Sequence, residues 1–248
     1  MRVGEVSQIK ETECYAALDL EMTGLDAKND RIIEIGAIRV EKGIVTGTFS
    51  SLVRPGRKLE ARVEELTNIT DCMLEGAPEI PEVMERLSSF TEGLPLLGHN
   101  IAFDYRFLKQ AAVDQGMRFE RDGIDTLTLC RLFMPPDEKK NLGSACSYYG
   151  VRPQTAHRAL SDAFSAHFLY QALLNRHFQE KPEAFMAKPL NYHVKRRQPA
   201  TKKQKEVLRD LLKYHKINLS AQIDGLTRNE VSRMIDKIVS QCGRAAER

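Results

Sequence analysis

The chain has 248 residues, 42% of them apolar and 29% charged, a balance that excludes a disordered or fibrous polypeptide and allows one sizeable core with a small appendage. No apolar run is long enough to span a bilayer, and the opening stretch Met1-Arg2-Val3-Gly4-Glu5 lacks an apolar signal core, so a cytoplasmic protein is expected. The net charge of +3 is unevenly placed: residues 1–194 sum to −5 and residues 195–248 to +8, which predicts that the tail meets something anionic. The five cysteines are scattered and form no Cys-x-x-Cys pair, which predicts reduced thiols rather than a disulfide framework or a zinc site.

In chain order, residues 14–21 read as a compact apolar strand ending in acids. Residues 31–40 and 44–53 read as two further strands, with Asp26 to Asp30 as the first turn and Lys42-Gly43 as the second; such short links predict an antiparallel meander. Helical spacing follows at 79–92, then a short buried strand at 94–99 and a helix at 101–115 with Asn100 as its N-cap. A strand is expected at 119–125, short helices at 126–133 and 142–149, and a long helix at 158–178. Strands first, then alternating helix and strand, predict an α/β fold with a mixed sheet: an antiparallel meander followed by parallel strands. The domain expected is 1–178. Residues 179–200, with Lys181-Pro182, Lys188-Pro189 and Pro199, read as a linker. Residues 201–248 read as a basic helical hairpin built from helices at 202–216 and 228–241, the second opened by a Thr227/Glu230 capping box.

Three stretches carry the chemistry. Asp19 and Glu21 lie two apart on a strand, so both side chains point to one face, and paired carboxylates there resist joint ionisation unless a cation intervenes. They close a core strand, where α/β sites lie. Asp104 follows His99 and Asn100 at a strand-to-helix junction. His157 and Asp162 are five residues apart, about 140° out of register on an ideal helix, so His157 belongs at the helix start or in the loop before it while Asp162 faces inward. Oxygen-only ligands favour a hard cation such as Mg²⁺ or Mn²⁺.

Taken together, Asp19-Leu20-Glu21-Met22-Thr23-Gly24, Gly98-His99-Asn100-Ile101-Ala102-Phe103-Asp104 and His157-Arg158-Ala159-Leu160-Ser161-Asp162 resemble the three motifs of the DnaQ-like 3′→5′ exonucleases, of the DEDDh subgroup and the proofreading type. The first motif is also similar to that of oligoribonuclease, and Ser161 stands where many members carry a second Asp. The resemblance implies a ribonuclease H-like sheet flanked by helices and two Mg²⁺ or Mn²⁺ ions held by Asp19, Glu21, Asp104 and Asp162, with His157 as general base. It implies release of nucleoside 5′-monophosphates from single-stranded DNA 3′ ends, and possible association with a DNA polymerase or another replication or repair protein. It further implies substrate contacts at Met22, Thr23, Leu25, His99, Asn100 and Phe103. Glu34 reads as structural. An RNA-directed 3′→5′ exoribonuclease and a catalytically silent nucleic-acid-binding or polymerase-associated module are the competing readings. The basic tail is expected to contact phosphates through Lys195, Arg196, Arg197, Lys202, Lys203 and Lys205, or else to dock a partner protein.

Overall fold

The computed structural model describes residues 12–152, 158–194, 199–218 and 223–243. Six strands form one sheet in the order β3-β2-β1-β4-β5-β6. β1 (Cys14–Met22), β2 (Ile32–Glu41) and β3 (Ile44–Leu52) make the expected antiparallel meander, while β4 (Leu96–Gly98) and β5 (Asp122–Asp125) run parallel to β1. This is the mixed sheet that the element order predicts, and with helices on both faces it is the ribonuclease H-like arrangement that the resemblance implies.

The side chains of β1 divide the molecule into layers. Ala16, Leu18 and Leu20 point into one core, shared with α3 (Ile80–Phe90) and α4 (Ile101–Asp114). Tyr15 and Ala17 point into the other, built with α5 (Thr126–Phe133), α6 (Leu142–Tyr148) and α7 (Ala159–His177). The alternation of a strand therefore assigns Asp19 and Glu21 to the face that α7 covers. β4 pairs with β1 only at Ala16 and Ala17, and α4 departs to the face opposite α5 and α7. The carboxyl ends of the parallel strands β1, β4 and β5 lie side by side, at the end of a sheet where α/β sites gather.

Helix α7 sits unusually close to the sheet. Gly36 lies opposite Asp19 in the β1–β2 register, and a Cβ placed on it would stand 2.0 Å from the Leu160 amide nitrogen and 2.2 Å from the Ala159 carbonyl carbon. Only a residue without a side chain lets the helix start rest on the strand there.

Several elements differ from the sequence expectation. Short helices α1 (Ala61–Thr67) and α2 (Asp71–Leu74) occupy a stretch with no marked apolar stripe. The segment 179–200, expected as a linker, holds a 3₁₀ turn at Pro182–Phe185 and an edge strand β6 (Lys188–Pro189) paired antiparallel with β5. Phe185 is fully buried among Phe133, Tyr170 and Phe178, and Leu190 lies over Gly123, so this part belongs to the domain core.

The C-terminal helices α8 (Lys202–Tyr214) and α9 (Arg228–Cys242) share a small apolar core of their own, and the Thr227/Glu230 capping box is present. They do not form a hairpin. Gln204 at the start of α8 donates to the Arg228 carbonyl and to Ser232 at the start of α9, while His215 beyond α8 meets the Gly243 carbonyl beyond α9. The two helices therefore run in the same direction, each preceded by an extended residue of the Pro199–Thr227 bridge. Among the described residues no helix is long and apolar enough to cross a membrane.

Candidate active site

At the end of β1, carboxylate oxygens of Asp19, Glu21 and Asp162 all lie within 4.8 Å of one another. Two come from one strand face by period-two geometry and the third from the first turn of α7, 141 residues after Glu21. Asp104, fully within the first turn of α4, is buried and accepts the Leu20 backbone N–H at 3.2 Å, which pins it beside the strand between Asp19 and Glu21. The fold thus brings to one place the four acids expected from the sequence, Asp104 standing apart from the tight trio.

Their electrostatics are those of acids gathered at close quarters and shielded from water. Burial, then the charges of Asp104, Asp162, Glu21 and Glu34, push the Asp19 carboxyl well above the usual carboxylate range. Burial followed by Asp162 and Glu34 raises Glu21 to about 7, with Arg158 acting in the opposite sense. Burial raises Asp104 to about 8, offset in part by the backbone N–H groups it accepts and reinforced by Glu21 and Asp125. A divalent cation is the natural remedy: the donor set is all carboxylate oxygen, half-buried, and convergent, which suits a hard ion.

Glu34, read from sequence as structural, has that role in full. It lies opposite Glu21 in the sheet register and is only 2% exposed. Arg158 grips it with Nη2 at 2.8 Å and Nε at 3.1 Å from Oε1, and the Ala159 N–H donates to Oε2 at 3.0 Å. One carboxylate thus satisfies an orphan donor at the start of α7 and fixes the arginine next to the acid trio. Replacing Arg158 with Met should lower the unfolding free energy by about 2–3 kcal/mol, because a buried carboxylate is left without its cation. Arg158→Lys should recover less than half of that, since an ammonium does not match both oxygens. Urea midpoints of the metal-free proteins measure both.

The exonuclease family model RNase_T matches residues 16–170, which includes Asp19, Glu21, Asp104 and Asp162. The chain belongs to this exonuclease family. The exonuclease domain is 36% identical over 150 residues to the DNA polymerase III subunit epsilon of Aquifex aeolicus, covering 60% of this chain and 74% of that protein. It is 36% identical over 149 residues to the PolC-type DNA polymerase III of Clostridium perfringens, of which the chain spans only 10%. Among solved structures it is similar to exonuclease X in complex with 5′ overhanging duplex DNA, at 25% identity and a TM-score of 0.54, covering 65% of this chain and 91% of that one. Exonuclease I shares the fold at 17% identity, with a TM-score of 0.60 over 70% of this chain and 42% of that one.

The remaining candidate residues of the exonuclease domain are distributed unevenly around the acids. His157 lies outside the described residues. Leu25 is 79% exposed on the turn that follows β1, an apolar side chain free to meet a ligand. Phe103 is half-buried on α4, in contact with Phe107 and beneath the Arg106 guanidinium. Met22 packs partly against the core. Thr23 is engaged within the protein: its hydroxyl accepts the Arg31 N–H at 3.0 Å and an N–H of Arg57, and donates to Asp30.

His99 is likewise committed to structure, for one ring nitrogen meets the Lys140 carbonyl at 2.7 Å and the other Thr126 Oγ1 at 2.9 Å. Burial lowers its proton affinity, so the neutral ring donates from Nε2 to the carbonyl and accepts at Nδ1. Asn100 occupies the cap position of α4 in the left-handed region (φ 72°) that Asn tolerates, without a side-chain cap bond. Its backbone N–H donates instead to Asp125 at 2.7 Å. Asp125 was not singled out in the sequence, yet it also caps α5 through the Leu127 N–H and holds Thr128. The Asp-Thr-Leu-Thr pattern before a helical run was its available signal.

Proposed function

We propose that this chain is a metal-dependent 3′→5′ exonuclease of the DEDDh type that removes nucleoside 5′-monophosphates from single-stranded DNA ends. The observation that carries the reading is the convergence of half-buried Asp19, Glu21 and Asp162, with buried Asp104 beside them, at the carboxyl end of β1 in an exonuclease-family fold. The residues fit Mg²⁺ or Mn²⁺: Asp19, Glu21, Asp104 and Asp162 would hold two such ions. When bound, the ions supply charge for the developing negative oxygens and a lowered pKa for the attacking water.

The chain's own residues do the rest. His157, which immediately precedes Arg158, accepts the proton of the attacking water; an imidazole with an ordinary pKa near 6.5 suits that task at neutral pH. Exposed Leu25 and half-buried Phe103 offer apolar surface on which terminal bases stack, a contact that tolerates any sequence. Asn100, exposed at the head of α4, supplies a further polar contact, and Met22 and Thr23 border the same turn, Thr23 through its backbone because its hydroxyl is occupied. His99 serves by holding the β4–α4 corner against Lys140.

DNA is favoured because the relatives include DNA polymerase III subunits and an exonuclease bound to DNA. A proofreading or repair setting beside a polymerase follows from the same kinship, and the five free cysteines suit a reducing, cytoplasmic one. The test is hydrolysis of single-stranded DNA and RNA labelled so that each end is followed, with Mg²⁺ or EDTA. Stepwise loss of 5′-monophosphates from the 3′ end of DNA, abolished by EDTA, is the expected result. Preferential RNA turnover would move the reading to an exoribonuclease, and binding without cleavage in any metal would contradict an enzyme.

A further inference from the structure

The basic C-terminal helices are not a free tail. The start of α9 is clamped to the turn between β1 and β2, the turn that carries Leu25 beyond the acid-bearing strand. Arg31 pairs with Glu230, and both side chains are largely buried, 21% and 12% exposed. Arg233 Nη2 lies 3.5 Å from Asp26 Oδ2. Glu230 does two things at once: one oxygen holds Arg31 while the other completes the capping box with the Thr227 N–H and hydroxyl. The capped start of α9 is therefore the end that touches the exonuclease domain.

The receiving turn is itself braced. Arg57 donates to the Asn29 carbonyl at 3.2 Å and to Asp30 at 2.9 Å, and Asp30 accepts the Asp26 N–H at 2.9 Å. Because α8 and α9 run parallel and Gln204 ties their first turns together, Lys202 and Lys203 at the start of α8 are brought to the same side as Arg228 and Arg233. All four are exposed. Lys202, Lys203 and Arg228 are thus solvated cations fixed next to the turn that leads out of the acid site, with Arg233 engaged by Asp26.

We infer that this docked module is the binding surface for the phosphate backbone of the single strand whose 3′ end lies in the acid cluster, with Arg31–Glu230 and Arg233–Asp26 holding it in line. The inference rests on the exonuclease reading for what occupies the acid cluster. The chemistry is complementary: the acids at the site repel a polyanion, and a fixed patch of cations next to it recovers the attraction through released counterions. Rigid docking matters because a second contact strengthens the first only when geometry allows both at once.

The full chain should be assayed on two probes: a labelled oligothymidylate of about twenty nucleotides, and the p-nitrophenyl ester of thymidine 5′-monophosphate, which is too short to reach the module. Lys202→Glu/Lys203→Glu should raise KM on the oligonucleotide at least ten-fold and reduce the slope of log affinity on log salt by about 1.4, or about 0.7 per lost phosphate contact. Ester turnover should not change. Arg31→Glu should produce the same KM rise, again without touching the ester, and Arg31→Lys, which keeps a cation opposite Glu230 and leaves the capping box intact, should retain most of the parent affinity.

An unaltered KM and salt slope in the lysine variant would overturn the inference, as would an Arg31→Glu defect that extends to the ester or an Arg31→Lys variant as impaired as Arg31→Glu. Fluorescence anisotropy of the oligonucleotide in EDTA separates this inference from the one beneath it. Parent protein that binds tightly, and ten-fold more weakly in the lysine variant, retains the surface even if neither probe is cleaved; cleavage of both probes with unchanged binding retains the enzyme and removes the surface.

Discussion

Asp19→Asn and Asp162→Asn should each lower turnover by three orders of magnitude or more, about 4 kcal/mol of transition-state stabilisation, while metal-free Asp19→Asn unfolds at a higher temperature than the parent. Two effects of opposite sign come from the same atoms. On this proposal each carboxylate is a metal ligand, and in the metal-free protein Asp19 is an acid buried among other acids. Burial and the neighbouring acids raise the Asp19 carboxyl well above its unfolded value near 4, so at pH 8 its ionisation costs stability that an amide does not. Activity against DNA and thermal melts in EDTA measure the two sides. Turnover within a few-fold of the parent would remove these residues from the ligand set, and a lower melting temperature for Asp19→Asn would mean that this acid holds the fold together rather than strains it.

Gly36→Ala should be nearly as damaging to activity although it touches no acid. The new methyl would stand 2.0 Å from the Leu160 nitrogen and 2.4 Å from its Cα, both backbone atoms of the α7 start, with no flexible side chain to yield. Either β2 or α7 must shift, at about 3 kcal/mol or more. A displacement of α7 carries Asp162 and Arg158 away from Asp19 and Glu21, and a misplacement of about 1 Å in such a site costs on the order of a hundred-fold in rate. Urea denaturation reads the first effect and kcat on a saturating oligonucleotide the second. A variant that is both stable and active would show that α7 does not depend on resting against the strand.

The elements that were legible in the sequence are those with long periodic signals. Strands β1 to β3 and helices α3, α4, α5 and α7 fall within two residues of their expected bounds because each buries a regular stripe. The acids were legible because Asp19 and Glu21 share a strand face and Asp104 and Asp162 sit in first turns of helices. What escaped was carried by contacts remote in sequence. Nothing local announces that Arg158 grips Glu34, 124 residues away, or that Arg57 braces Asp30 and Thr23. Thr23 and His99 looked available for substrate because a sequence does not reveal that their polar atoms are already bonded. The edge strand β6 is two residues long, too short for any period, and its proline and lysine disguised it as a linker. The parallel course of α8 and α9 had a signal in the 13 residues between them, about three times what a tight antiparallel turn needs.

The central claim is that the fold concentrates acids which become tolerable only around divalent cations. Thermal melts from pH 5 to pH 8.5, in EDTA and in Mn²⁺, test it most directly. Glu21 and Asp104 are raised to about 7 and about 8, so the folded protein holds more protons than the unfolded chain across this range, and stability falls as pH rises. In EDTA the melting temperature should drop by about 5–10 °C over the range; in Mn²⁺ the drop should vanish or reverse, because the ion takes the place of the protons. Curves that coincide in EDTA and Mn²⁺ would contradict the account.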